Sequence, residues 1–114
     1  MEQYNIIITP DAEDDLNEID DYITYVLLAP SIAKEYVSSI KQKLLSLEKS
    51  PQRYRLVEDE PWYSRGVRRM NARNFAVFYS VLEEYNEVYI QNVIYQKRDL
   101  NRILMDIEQM RNDP

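Results

Sequence analysis

The chain has 114 residues, which is enough for one folded domain, residues 1–114, with a single hydrophobic core. It contains no Cys and no His, which excludes disulfides, thiolate metal sites, cysteine nucleophiles and histidine general bases. The formal net charge of −6 disfavours binding of nucleic acid by the whole surface. No apolar run has membrane-spanning length and no signal peptide is evident, so we expect a cytoplasmic protein.

A strand and two amphipathic helices are predicted for the first half of the chain. Residues 4–8 are an apolar strand candidate, and Thr9 and Pro10 have the residue types that begin a helix. The apolar stripe of this helix consists of Ala12, Leu16, Ile19, Ile23 and Val26, and its acidic face is predicted to be solvated. A second helix begins at Ser31 and ends at Ser50, with the stripe Ala33, Val37, Ile40, Leu44 and Leu47. The short connection between them favours an antiparallel hairpin.

Residues 51–64 have no clear period and form a connection longer than most. The segment carries the aromatic residues Tyr54, Trp62 and Tyr63 among several charged residues. Such aromatics pin a loop over the core, stack on a nucleic-acid base or hold a partner peptide. The sequence leaves these three roles open, with the first the most common.

Three strands and a last helix are predicted for the second half. The strands are residues 67–70, 75–82 and 88–95, the second of them central because it is apolar on both faces. In the last strand, the alternation places Val88, Ile90 and Ile94 on one face and Tyr89, Val93 and Tyr95 on the other. Asp99 is predicted to cap the last helix, whose stripe is Leu100, Ile103, Leu104, Ile107 and Met110. The order predicts an α+β fold: a helical hairpin packed on a mainly antiparallel four-stranded sheet, with a C-terminal helix.

A cationic strip on this acidic chain is the main candidate for a binding site. Arg65, Arg68, Arg69 and Arg73 fall within nine residues that contain no acid, and Lys97 and Arg98 follow the last strand. If residues 75–82 and 88–95 form a hairpin, residue 73 and residues 95–98 meet at one edge of the sheet. Converging arginines of this kind are suited to phosphate. The same residues are compatible with a solvated strand face or with pairing to the acidic helices.

Tyr95 is the candidate for acid–base chemistry beside these cations. Metal-free cleavage of RNA needs a base for the 2′-hydroxyl, cations for the phosphorane and an acid for the leaving oxygen. Neighbouring cations are expected to lower the pKa of the Tyr95 phenol and so fit it for one of these roles. Tyr95 is equally compatible with an aromatic that ends a strand and packs on the last helix. We expect no metal and no cofactor, because the chain has one Gly and no metal-ligand spacing.

Four segments in a fixed order carry a family resemblance: residues 4–16, 66–70, 75–81 and 88–99. With these segments the chain resembles the RelE/ParE toxins of type II toxin–antitoxin systems. The resemblance implies an antitoxin partner and roles in plasmid stabilisation and stress response. It implies one of two activities, which are metal-free cleavage of mRNA in the ribosomal A site for RelE-like members and poisoning of DNA gyrase for ParE-like members. Two departures from the RelE-like pattern are Ala76, where Arg is common, and Tyr95, where His is common.

The leading prediction is a ribosome-dependent mRNA endonuclease that inhibits translation, with ribosome and mRNA as partners besides the antitoxin. Its catalytic residues would be Tyr95, Arg73 and Arg98, and its RNA phosphate contacts Arg65, Arg68, Arg69 and Lys97. The alternatives are a noncatalytic inhibitor that binds DNA gyrase and an inactive relative that only binds its antitoxin.

Overall fold

The structure is a computed structural model that describes residues 3–72 and 74–112, with the side chains of 103 and 106–112 excluded. The strands and α-helices follow the predicted order. They are β1 (Asn5–Ile8), α1 (Pro10–Asp21), α2 (Pro30–Leu45), β2 (Val67–Asn71), β3 (Phe75–Leu82), β4 (Glu87–Tyr95) and α3 (Lys97–Asn112). No helix among the described residues is both long enough and apolar enough to cross a bilayer.

The four strands form one sheet in the order β1-β4-β3-β2. β1 runs parallel to β4, and the other two pairs are antiparallel. The core joins buried residues of α1 and α2 to buried residues of β2, β3 and β4, with Leu100 of α3 at its margin. The predicted α+β fold is therefore confirmed, and β3 has the predicted central place between two neighbours.

α1 begins as its sequence predicts and ends in an unpredicted way. The Thr9 hydroxyl accepts a hydrogen bond from the Ala12 N–H (3.3 Å) and donates one to the Ile90 carbonyl (2.7 Å), which ties the helix to β4. After Asp21 the chain continues as a π-helical turn, Tyr22–Val26. Ile23 is buried, but Val26 is 62 % exposed. The prediction that Val26 belongs to the apolar stripe is wrong, because the wider π turn changes which positions face the core.

A β-bulge changes the faces of β4. The register shifts between Phe78 and Tyr79 of β3, so that Asn92 pairs with Phe78 while Ile90 pairs with Tyr79, and Gln91 is the extra residue. Beyond the bulge, Val93 is buried, whereas Ile94 is 52 % exposed. The predicted division of the β4 faces is therefore wrong after residue 90, because one extra residue inverts the alternation.

Beside this bulge, the Asp15 carboxylate of α1 accepts hydrogen bonds in place of a neighbouring strand. β1 pairs with β4 only as far as Ile90, so the following N–H groups on that side have no strand partner from β1. The Oδ2 atom of Asp15 accepts from the Val93 N–H (2.9 Å) and from the Asn92 side-chain amide (3.2 Å). α1 and the second half of β4 are thereby joined by a charged acceptor.

α3 begins three residues earlier than a cap at Asp99 predicts. The N–H groups of Asp99 and Leu100 donate to the carbonyl of Gln96, so Asp99 lies in the first turn and the prediction that it caps the helix is wrong. Leu100 is buried and Leu104 packs against the core, as predicted. The other predicted stripe residues are Ile103, Ile107 and Met110, and their side chains lie outside the described part of the structure.

Candidate functional site

The start of β3 and the end of β4 form one side of an open cleft at the end of the sheet. Phe75 pairs with Tyr95 across the two strands, which confirms the predicted hairpin of β3 and β4. The cleft has a volume of about 230 Å³. Its lining consists of Arg69, Asn71, Ala72, Asn74, Phe75, Ala76, Ile94, Tyr95, Gln96 and Asp99. Side-chain amides, one guanidinium and one carboxylate thus surround an apolar floor.

Arg69 is the predicted phosphate-binding residue that the structure brings to this cleft. Arg69 is exposed on β2 opposite Phe78, and its guanidinium carbon is 5.3 Å from the centre of the Phe78 ring. Its Nε donates to the Asn71 side-chain oxygen at 2.7 Å. These two contacts fix the position of the guanidinium. A planar donor fixed in this way binds anionic and polar groups at little entropic cost.

Tyr95 lines the cleft, but its hydroxyl is buried and has no hydrogen-bond partner among the described residues. Burial, together with the carboxylates of Glu18 and Asp15 on α1, raises the pKa of Tyr95 to about 12. The expected lowering of this pKa by neighbouring cations is wrong. The reason is tertiary, since the phenol is buried and, among the described residues, α1 supplies the charges that shift its pKa.

Arg68 was predicted to bind phosphate, but its guanidinium is hydrogen-bonded to backbone carbonyls. Its guanidinium Nη1 donates to the carbonyl of Gln52 (3.0 Å) and to that of Tyr54 (2.7 Å). Nearby, the Tyr79 hydroxyl donates to the Pro51 carbonyl at 2.6 Å, and this hydroxyl is buried. These contacts fix the segment after α2 to the sheet. Tyr54 stacks edge-on against Tyr79 and so has the core-pinning role.

Arg65, Lys97 and Arg98, also predicted to bind phosphate or act in catalysis, are not among the residues that line the cleft. Arg65 is exposed in the turn before β2. Lys97 and Arg98 are exposed in the first turn of α3, and the Lys97 ammonium lies 5.4 Å from the Tyr22 ring centre. Arg73 lies outside the described residues, so its catalytic role stays a prediction.

Asp15 and Glu18 are the residues near this site that sequence reasoning missed. Both were assigned to the solvated acidic face of α1. Their spacing of three places them on the same side of the helix, and that is the available signal. Only the position of α1 against β4 shows that this side meets Tyr95.

The cleft is lined by polar side chains, and the Tyr95 hydroxyl beside them is buried with its pKa raised to about 12. Ala76, which stands where RelE-like nucleases commonly carry Arg, is nearly buried and forms part of the floor. Among the side chains that the structure describes, no group of three or more acidic residues is arranged to hold a metal ion. Arg69, the carboxylate of Asp99 and the amides of Asn71, Asn74 and Gln96 are therefore the polar groups that the cleft offers a ligand.

Comparison with known proteins identifies relatives of this fold. The family model described as ParE toxin of the type II toxin–antitoxin system parDE matches residues 6–100. No curated protein sequence is significantly similar to the chain. Among solved structures, a ParDE system of P. aeruginosa has a TM-score of 0.65 at 22 % identity, covering 83 % of this chain and 98 % of that one. The RelBE2 toxin–antitoxin complex of Mycobacterium tuberculosis has a TM-score of 0.62 at 18 % identity, covering 82 % and 99 %. A mutant of E. coli toxin RelE in the free state has a TM-score of 0.56 at 14 % identity, covering 84 % and 86 %.

Proposed function

Because the chain belongs to the ParE toxin family of type II toxin–antitoxin systems, we propose that it inhibits its target by binding and not by cleaving RNA. The buried hydroxyl of Tyr95 carries this proposal. A phenol with a pKa of about 12 that faces Glu18 and Asp15 is a poor base for a 2′-hydroxyl at neutral pH. Its environment also opposes the negative charge that proton transfer would leave on it.

The contacts of the arginines support the same conclusion. Arg68 is held by two backbone carbonyls, and Ala76 replaces the strand arginine of RelE-like nucleases. Stabilisation of a phosphorane needs several preorganised cations around one phosphate. Arg69 is the described arginine that lines the cleft. DNA gyrase is the target that the ParE-like branch of the resemblance implies.

Cleavage of mRNA on the ribosome is the second candidate. It is favoured by the cleft itself, since Arg69, Asn71 and Gln96 present polar groups where the sequence predicted a phosphate. In this function Arg69 would bind RNA phosphate, and Arg73 and Arg98 would supply further positive charge.

One pair of assays distinguishes the two functions. Purified toxin is added to a gyrase supercoiling reaction and, separately, to programmed ribosomes with primer extension of the mRNA. The proposal predicts loss of supercoiling, no new stops in the A-site codon, and the same result for Tyr95→Phe. Stops in the A-site codon that vanish in Tyr95→Phe and Arg69→Ala would refute it and establish the nuclease. Arg65→Ala is the matched control, because that arginine is exposed and lies outside the cleft.

A further inference from the structure

The loop before β2 exposes two large aromatic side chains beside three acids. We name residues 58–64 the acidic–aromatic loop; every one of them is exposed. Trp62 is 47 % exposed and Tyr63 is 52 % exposed. The acids are Glu58, Asp59 and Glu60. Aromatics this exposed do not serve the core, and Tyr54 already pins the preceding segment.

Hydrogen bonds hold the acidic–aromatic loop in one conformation. The Tyr63 N–H donates to the Asp59 carbonyl (3.0 Å), and the Trp62 carbonyl accepts from Val67 (3.0 Å). The Glu60 carboxylate accepts from the Ser64 hydroxyl (2.7 Å) and from the Ser64 N–H (3.2 Å). A rigid loop that already presents its aromatics loses little conformational entropy when a partner binds.

The charge of the acidic–aromatic loop selects the kind of partner. Stacking of Trp62 or Tyr63 on a base would bring phosphates close to three carboxylates, and this opposes a nucleic-acid ligand. Exposed Trp and Tyr are instead the residue types that most often dominate protein–protein binding energy. The surrounding acids favour a segment with Lys or Arg next to its apolar residues. The loop therefore fits a cationic, partly apolar protein segment.

We propose that the acidic–aromatic loop binds a cationic segment of the antitoxin, with Trp62 and Tyr63 as the anchoring side chains. The proposal rests on membership of the toxin family and is independent of whether the target is gyrase or the ribosome. Net charge supports it, since the toxin carries −6. A cationic antitoxin segment is attracted to this surface from a distance, and the rigid aromatics then provide short-range affinity.

Trp62 provides a direct readout because the chain has one Trp. Toxin labelled with 5-fluorotryptophan has a single ¹⁹F resonance, and its shift between H₂O and D₂O measures solvent exposure of the ring. The antitoxin, purified unlabelled after separation from the co-expressed complex, is then added. We expect the resonance to move and its solvent isotope shift to shrink. A resonance and isotope shift that stay unchanged in the saturated complex would overturn the proposal.

Variants test which chemistry of the loop matters. Trp62→Ala should weaken antitoxin binding by about 30-fold, the loss that corresponds to an interface hot spot. Glu58→Gln with Asp59→Asn should weaken it at low salt and reduce its dependence on salt, as removal of steering charges does. Glu60 is left unchanged in these variants because its carboxylate accepts a hydrogen bond from the Ser64 hydroxyl. Unchanged affinity in both variants would overturn the proposal.

Tyr85→Ala is the matched control. Tyr85 is 67 % exposed and follows Glu83 and Glu84, so it offers similar chemistry at a different turn. Toxin with Tyr85→Ala should bind the antitoxin as tightly as the wild type does. An equal loss of affinity in Tyr85→Ala would mean that the effect belongs to any exposed acidic and aromatic turn, and the proposal would fail.

Growth of cells distinguishes the antitoxin from the target as the occupant. Trp62→Ala toxin should arrest growth when expressed alone and should resist neutralisation by an amount of antitoxin that neutralises the wild type. Loss of toxicity with wild-type antitoxin affinity would assign the loop to the target and overturn the proposal. Circular dichroism of the variants, which change only exposed side chains, confirms that each is folded. The result is the same whether the supercoiling or the ribosome assay identifies the target.

Discussion

Asp15 offers the sharpest test of how the helical hairpin is joined to the sheet. Its carboxylate is the acceptor for the Val93 N–H (2.9 Å) and the Asn92 amide (3.2 Å), at the point where β1 no longer pairs with β4. Asp15→Ala leaves a half-buried backbone donor without a partner. Removal of a charged acceptor of this kind costs about 2 kcal/mol in free energy of unfolding. For a chain of this length that loss lowers the melting temperature by roughly 8 °C.

Two further substitutions separate the hydrogen bond from the charge. Asp15→Asn keeps one side-chain oxygen in reach of Val93, so we expect a loss of less than about 1 kcal/mol. Asp14→Ala removes the same charge from the exposed neighbouring position and should change stability by no more than about 0.5 kcal/mol. Urea unfolding followed by circular dichroism measures all three. If Asp15→Ala unfolds at the same urea concentration as Asp14→Ala, the carboxylate is not the acceptor that supports β4.

The buried tyrosines give three more predictions. Tyr95→Phe removes a buried hydroxyl that lacks a partner, so stability should stay the same or rise by up to about 1 kcal/mol in thermal unfolding, and a marked loss would contradict the buried geometry. Tyr79→Phe removes the donor to the Pro51 carbonyl and should cost about 1–2 kcal/mol by the same measurement, whereas an unchanged melting temperature would show that this bond contributes nothing. The pKa values of Tyr36, Tyr79 and Tyr95 are raised from 10.0 to about 12, so the folded state binds more protons than the unfolded state between these values. The contribution of these tyrosines to stability is fully present below pH 10 and should be lost as pH rises toward 12. Spectrophotometric titration should show tyrosines that ionise only near the alkaline unfolding transition.

The two candidate surfaces of the toxin differ in chemistry. The cleft presents Arg69 and Asp99 with neutral amides, and the acidic–aromatic loop presents Glu58 and Asp59 with two aromatic rings. A toxin needs a target and an antitoxin, and separate surfaces allow each partner to be recognised by its own chemistry. Substitutions in one surface should therefore leave binding at the other unchanged.

The residue pattern determined the elements and their order. Thr9 and Pro10 specify the start of α1, and the apolar run of residues 75–82 specifies a central strand, because capping and periodicity act over a few neighbouring residues. The same local pattern carried the resemblance to the toxin family. It also indicated that the start of β3 and the end of β4 meet, since a hairpin leaves few other arrangements.

Only the tertiary structure decided which side chains share an environment. The bulge at Gln91 exchanges the faces of Val93 and Ile94, and no periodicity in the sequence announces an extra residue. The pKa of Tyr95 rises because the phenol is buried and because α1 brings Glu18 to it from 77 residues away in the chain (95 − 18). Electrostatic and burial effects depend on distance in space, and chain separation of this size contains no information about that distance.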